Sequence, residues 1–100
     1  MTKNKIYKDY DEFLQDRLKD PRLAVAYLNQ AFQDEDENVF LIALKDVLSA
    51  QGVDISALAK KAHLNRQNLY KMLSKDGNPR WSNITSLMAA MGLKVRFSYE

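Results

Sequence analysis

Apolar positions recur every three or four residues along most of this chain and every second residue only at its end. Tyr10, Phe13, Leu14 and Leu18 fall at helical spacing, with Asp11 and Glu12 near the segment's start, where carboxylates complement a helix dipole. Residues 1–8 are mostly polar and basic and read as a loose arm. Residues 1–19 therefore form an arm and a short helix that either packs on the body or docks a partner. Asp20-Pro21 is a helix start, an N-cap followed by proline at the first helical position. From there to about Gln33, Leu23, Ala24, Tyr27, Leu28, Ala31 and Phe32 make one broad apolar face.

The run Asp34-Glu35-Asp36-Glu37 follows. Asp36 suits an N-cap, and its neighbours suit the positive end of the next helix. Consecutive side chains without a turn-forming glycine do not converge on one ion as a calcium loop does, so no metal is expected. Val39 to Gln51 reads as the next helix, with Phe40, Leu41, Ala43, Leu44, Val47 and Leu48 inward and Gly52 as its stop. Residues 20–52 are thus two packing helices.

Residues 54–74 read as two short helices about a tight turn, capped at the start by Asp54. Leu58, Ala59 and Ala62 line the first helix; Leu64 sits in the turn; Leu69, Met72 and Leu73 line the second. Small residues such as Ala59 and Ala62 let two closely joined helices cross steeply. The second helix carries Asn65, Arg66, Gln67, Asn68, Tyr70, Lys71 and Ser74 on its other face. Arg, Gln and Asn can make paired hydrogen bonds to a base edge, while Lys and Ser suit phosphates. An apolar inner face with such an outer face predicts a DNA-reading helix-turn-helix. The expected contacts are Asn65, Arg66, Gln67, Tyr70 and Lys71 from the second helix. Ser56 and Lys60 on the first helix, with Asn78 and Arg80 in the loop that follows, are placed to anchor phosphates. A solvated polar side chain is the plain alternative for each, and Tyr70 could also pack beneath its helix.

Residues 75–80 are a turn cluster, and residues 81–91 form a supporting helix with Trp81, Ile84, Leu87, Met88 and Met91 inward. Trp81 is expected in the core. After Gly92, residues 93–99 alternate Leu93, Val95, Phe97 and Tyr99 with Lys94, Arg96 and Ser98, the period of a half-buried strand. A lone strand leaves its edges unsatisfied. The same strand of a second copy, antiparallel across a two-fold axis, would pair with it through Val95, Phe97 and Tyr99, which predicts a homodimer. The fold class expected is mainly α: a compact helical bundle with a helix-turn-helix and one short C-terminal strand, in a single domain of 100 residues.

Charge sharpens this picture. Residues 1–52 hold 7 Lys and Arg against 10 Asp and Glu, a net of −3, and residues 53–100 hold 8 against 3, a net of +5. A basic half beside an acidic half suits a molecule with a nucleic-acid face and a second face for another partner. There is no Cys, so thiolate metal sites and disulfides are excluded. No apolar run is long enough for a membrane span or a signal peptide, so the reading is a cytoplasmic protein with no membrane partner. The sole histidine, His63, lies in the turn with no neighbouring carboxylate to orient it, and no serine has a nucleophile's context. The sequence predicts a non-enzyme without cofactor.

The spacing of Leu58, Ala59, Ala62, Leu64, Leu69 and Met72, counted from Ile55, resembles the helix-turn-helix of the phage-repressor (Cro/C1, XRE-like) superfamily. That family often has glycine where this chain has His63. Over about residues 9–95 the chain also resembles the HigA-like addiction-module antidotes. The resemblance is carried by Tyr27-Leu28-Asn29 with Ala31, by Phe40-Leu41 with Ala43-Leu44 and Asp46-Val47, and by Gln51-Gly52. It continues in Leu69-Tyr70 with Met72-Leu73-Ser74, then Asp76-Gly77-Asn78-Pro79, Trp81, Ile84 and Gly92-Leu93. The resemblance implies an antitoxin of a type II toxin–antitoxin module. Such a protein neutralises a cognate RelE/ParE-like toxin and represses its own operon by binding double-stranded operator DNA. A stand-alone phage-type regulator, or a protein-binding helical module that does not touch DNA, are the alternatives.

Overall fold

A computed structural model describes the backbone of residues 2–100 and the side chains from Asp9 onward. Its elements are α1 (Thr2–Leu18), α2 (Pro21–Phe32), α3 (Glu37–Ala50), α4 (Ile55–Lys61), α5 (Arg66–Met72) and α6 (Trp81–Ala90). The helices α1, α2 and α3 pack on one another, and α4 packs on both α5 and α6.

The helix starts follow from side-chain chemistry. Asp20, Asp36 and Asp54 accept hydrogen bonds from the backbone N–H groups of Arg22 (2.9 Å), Asn38 (2.9 Å) and Ser56 (3.0 Å). Each satisfies a donor that the first helical turn leaves without a partner, an effect of about 1 kcal/mol per cap.

The ends of α3, α4 and α6 share one device. Gly52, His63 and Gly92 have φ of 62°, 58° and 80°. After each, the next N–H reaches back to a carbonyl in the last turn: Val53 to Leu48 at 3.1 Å, Leu64 to Ala59 at 2.8 Å and Leu93 to Met88 at 2.9 Å. The left-handed residue turns the chain so that Val53, Leu64 and Leu93 pack partly against the core. Two of the three positions are glycine, which adopts this conformation without strain.

Leu18, Leu44, Leu69 and Leu87 are the most deeply buried large side chains, one each from α1, α3, α5 and α6. Gln51 donates to the carbonyl of Leu18 at 3.3 Å, tying the end of α1 to the end of α3. The Tyr27 hydroxyl donates to Asp46 Oδ2 at 2.8 Å between α2 and α3.

Three expectations change. The helix expected over residues 10–18 is recorded from Thr2, because no Pro or Gly interrupts residues 2–19; Met1 of the expected arm lies outside the described residues. Residues 93–99 form no strand, and no strand occurs among the described residues. Strand pairing needs a neighbouring edge, and an all-helical body offers none. Trp81 is 55% exposed rather than in the core. Periodicity puts it on the inward register, but it opens α6, where only part of its surface is covered.

Candidate nucleic-acid interface

The α4–α5 pair is built around Leu69, which is fully buried, with Leu58, Ala59, Ala62, Met72 and Leu73 around it. Four residues separate the helices. His63 supplies the left-handed step, and Asn65 restarts the helix by accepting from the N–H of Asn68 at 2.7 Å. That cap occupies the Asn65 carbonyl oxygen and leaves its amide NH2 available.

Beyond the cap, the outer face of α5 is open. Arg66, Gln67, Asn68, Tyr70 and Lys71 are all exposed. Tyr70 is 51% exposed, so its ring stands on the outer face instead of beneath the helix. Arg66 lies against it, one turn earlier: the guanidinium carbon is 5.5 Å from the ring centroid, and Nη2 donates to the hydroxyl at 3.5 Å. That hydrogen bond is the main cause that raises the Arg66 pKa above its ordinary value. Arg66 is thus an exposed positive charge stacked beside the Tyr70 ring.

A second group forms where the loop after α5 returns. Gly77 passes so close to the end of α5 that a Cβ there would collide with the carbonyl of Met72 and sit 2.8 Å from that of Lys71. The close approach brings Asn78 and Arg80 beside Lys71, around a shallow hollow of about 240 Å³. Asn68 and Asn83 line the same hollow. Neither was among the contacts expected from the sequence. Asn68 was legible as an outward position of α5. Asn83 was not, because only the turn of α6 under the loop places it there.

The expected contacts thus fall into groups. Arg66 and Tyr70 form one stripe of α5. Gln67 lies one turn before Lys71, which joins Asn78 and Arg80 in the other. Ser56 and Lys60 are exposed on α4, outside both. The tail residues Val95, Phe97 and Tyr99 are 48%, 94% and 103% exposed.

Elsewhere, the acidic loop spends carboxylate oxygens on backbone: Asp34 accepts from the N–H of Asp36, and Asp36 from that of Asn38. Among the described residues, no group of three or more His, Asp or Glu is placed to hold a metal ion. No helix of the described residues is long and apolar enough to cross a membrane.

A family model for "probable addiction module antidote protein" matches residues 7–99. The chain belongs to this family. Membership carries with it an antitoxin-type role toward a cognate toxin, which is a regulatory rather than a catalytic one. A Haemophilus influenzae protein, described only as uncharacterized, is 32% identical to this antidote-family chain over 89 residues, covering 89% of this chain and 88% of the relative. No solved structure matches the chain.

Proposed function

We infer that this antidote is a HigA-like antitoxin that also represses its own operon, reading double-stranded operator DNA with a Cro/C1-type helix-turn-helix. In this reading α5 is the recognition helix. Arg66 and Gln67, at its N-terminal end, meet base edges in the major groove. Lys71, Asn78 and Arg80 hold phosphates, which fix register without reading sequence. Ser56 and Lys60 anchor the backbone from α4. The cognate toxin is a RelE/ParE-like protein, the active species is a homodimer, and the site of action is the cytoplasm.

The observation that carries the reading is the open face of α5. Its bidentate-capable side chains stand exposed on a helix whose opposite face holds a fully buried leucine, beside a loop that adds Asn78 and Arg80.

The test is a salt series of binding to DNA from the chain's own promoter against a scrambled duplex. Preference for the promoter, with log affinity falling linearly in log salt, is the expected result. Equal and weak binding to both duplexes would remove the DNA-reading part and leave toxin neutralisation as the antidote's role.

A further inference from the structure

Phe32, Phe40 and Trp81 form an open aromatic floor between α2, the start of α3 and the start of α6. Phe32 meets Phe40 edge-on, with ring centroids 4.9 Å apart. Phe32 and Trp81 remain 52% and 55% exposed. Two hollows of about 370 Å³ share these three rings and run on from one another. One end of the trough is bounded by Lys94 and Arg96 of the chain's own tail. The other is bounded by Asp34, Asp36 and Glu37. Past the basic end the chain continues with Phe97 and Tyr99, both essentially fully exposed.

We propose that this trough receives the C-terminal tail of a second copy of the chain, Phe97 and Tyr99 going into the aromatic floor while Lys94 and Arg96 face the partner's acidic end. Two observations select a second copy over other occupants. A trough basic at one end and acidic at the other is complementary to itself after a half-turn, which is the requirement of a two-fold interface. The tail also carries the matching chemistry, alternating cationic and aromatic side chains. Each buried aromatic covers roughly 150–250 Å². Four such rings come to roughly 600–1,000 Å², and the floor they cover brings the total toward the low end of a stable interface. The proposal extends the dimer of the preceding reading but does not depend on DNA or toxin binding. It differs from mutual pairing of the two tails as strands.

Trp81 is the chain's single tryptophan, so its fluorescence reports on the trough. Sedimentation of the full chain across a concentration series, read beside Trp81 emission, is the experiment. Dimerisation with a blue shift of the emission over the same concentrations is expected. The full-length Phe97→Ser/Tyr99→Ser variant, altered only at exposed positions, should weaken the dimer at least about tenfold and abolish the shift. Glu37→Lys should weaken it too, and Arg96→Glu added to the same chain should recover part of the loss. Three results would each overturn the proposal. One is a monomer throughout; another is a dimer whose Trp81 emission stays constant, as strand pairing of the tails would give. The third is a blue-shifted emission independent of concentration, as a tail folded into its own trough would give.

Discussion

The Arg66 guanidinium lies 5.5 Å above the Tyr70 ring, with Nη2 3.5 Å from its hydroxyl, so cation and ring stack together on the open face of α5. Arg66→Ala should lower affinity for promoter DNA by about 1–3 kcal/mol while leaving the melting temperature unchanged. Equilibrium titration beside a thermal melt measures both. Wild-type affinity in a folded Arg66→Ala variant would take the start of α5 out of the interface.

Lys71 and Arg80 act through charge alone in the proposed complex. Replacing either with Ala should weaken promoter and scrambled DNA about equally and flatten the salt slope by about 1. A loss confined to the promoter would instead make that residue a reader of bases.

His63 occupies a left-handed position that the chain elsewhere gives to glycine. A β-branched residue suffers most there, so His63→Val should be less stable than His63→Gly by about 1–2 kcal/mol. Denaturant unfolding of the two variants gives the difference. Equal midpoints would mean the turn accommodates a right-handed residue by moving.

Leu69 is fully buried directly beneath the exposed side of α5. Leu69→Ala should cost about 2–5 kcal/mol, and Leu69→Asp, which buries an unpaired charge, should abolish the cooperative melt. A full thermal transition in the Asp variant would contradict the packing of α5 on α4.

Tyr27 donates to Asp46, and burial first, then that hydrogen bond and the Asp46 charge, push the phenol well above its ordinary value of 10.0. The folded chain then holds a proton that the unfolded chain releases above about pH 10. Its contribution to stability is complete below that pH and is lost as pH rises further toward the folded value. Melting temperature against pH should thus fall more steeply above pH 10 in the wild type than in Tyr27→Phe, which should cost about 1 kcal/mol at neutral pH. Parallel curves would remove Tyr27 from the alkaline transition.

What the sequence determined by itself is local. Asp20, Asp36 and Asp54 cap because a short carboxylate reaches N–H groups two residues ahead. Gly52 and Gly92 end helices because left-handed backbone favours glycine. The period of Leu58, Leu69 and Met72 sets which face of each helix turns inward. All of these depend on neighbours within a few residues. The tertiary structure decided the rest, where distant segments compete for the same surface. Trp81 has the period of a core residue, yet α6 begins where only part of it is covered. Residues 93–99 have the period of a strand, yet a helical body gives them no edge. Asn83 shares a hollow with Lys71 because Gly77 lets the intervening loop close on α5. Hydrophobic periodicity states which side chains should leave water, and only the packed chain determines which of them find a surface to cover them.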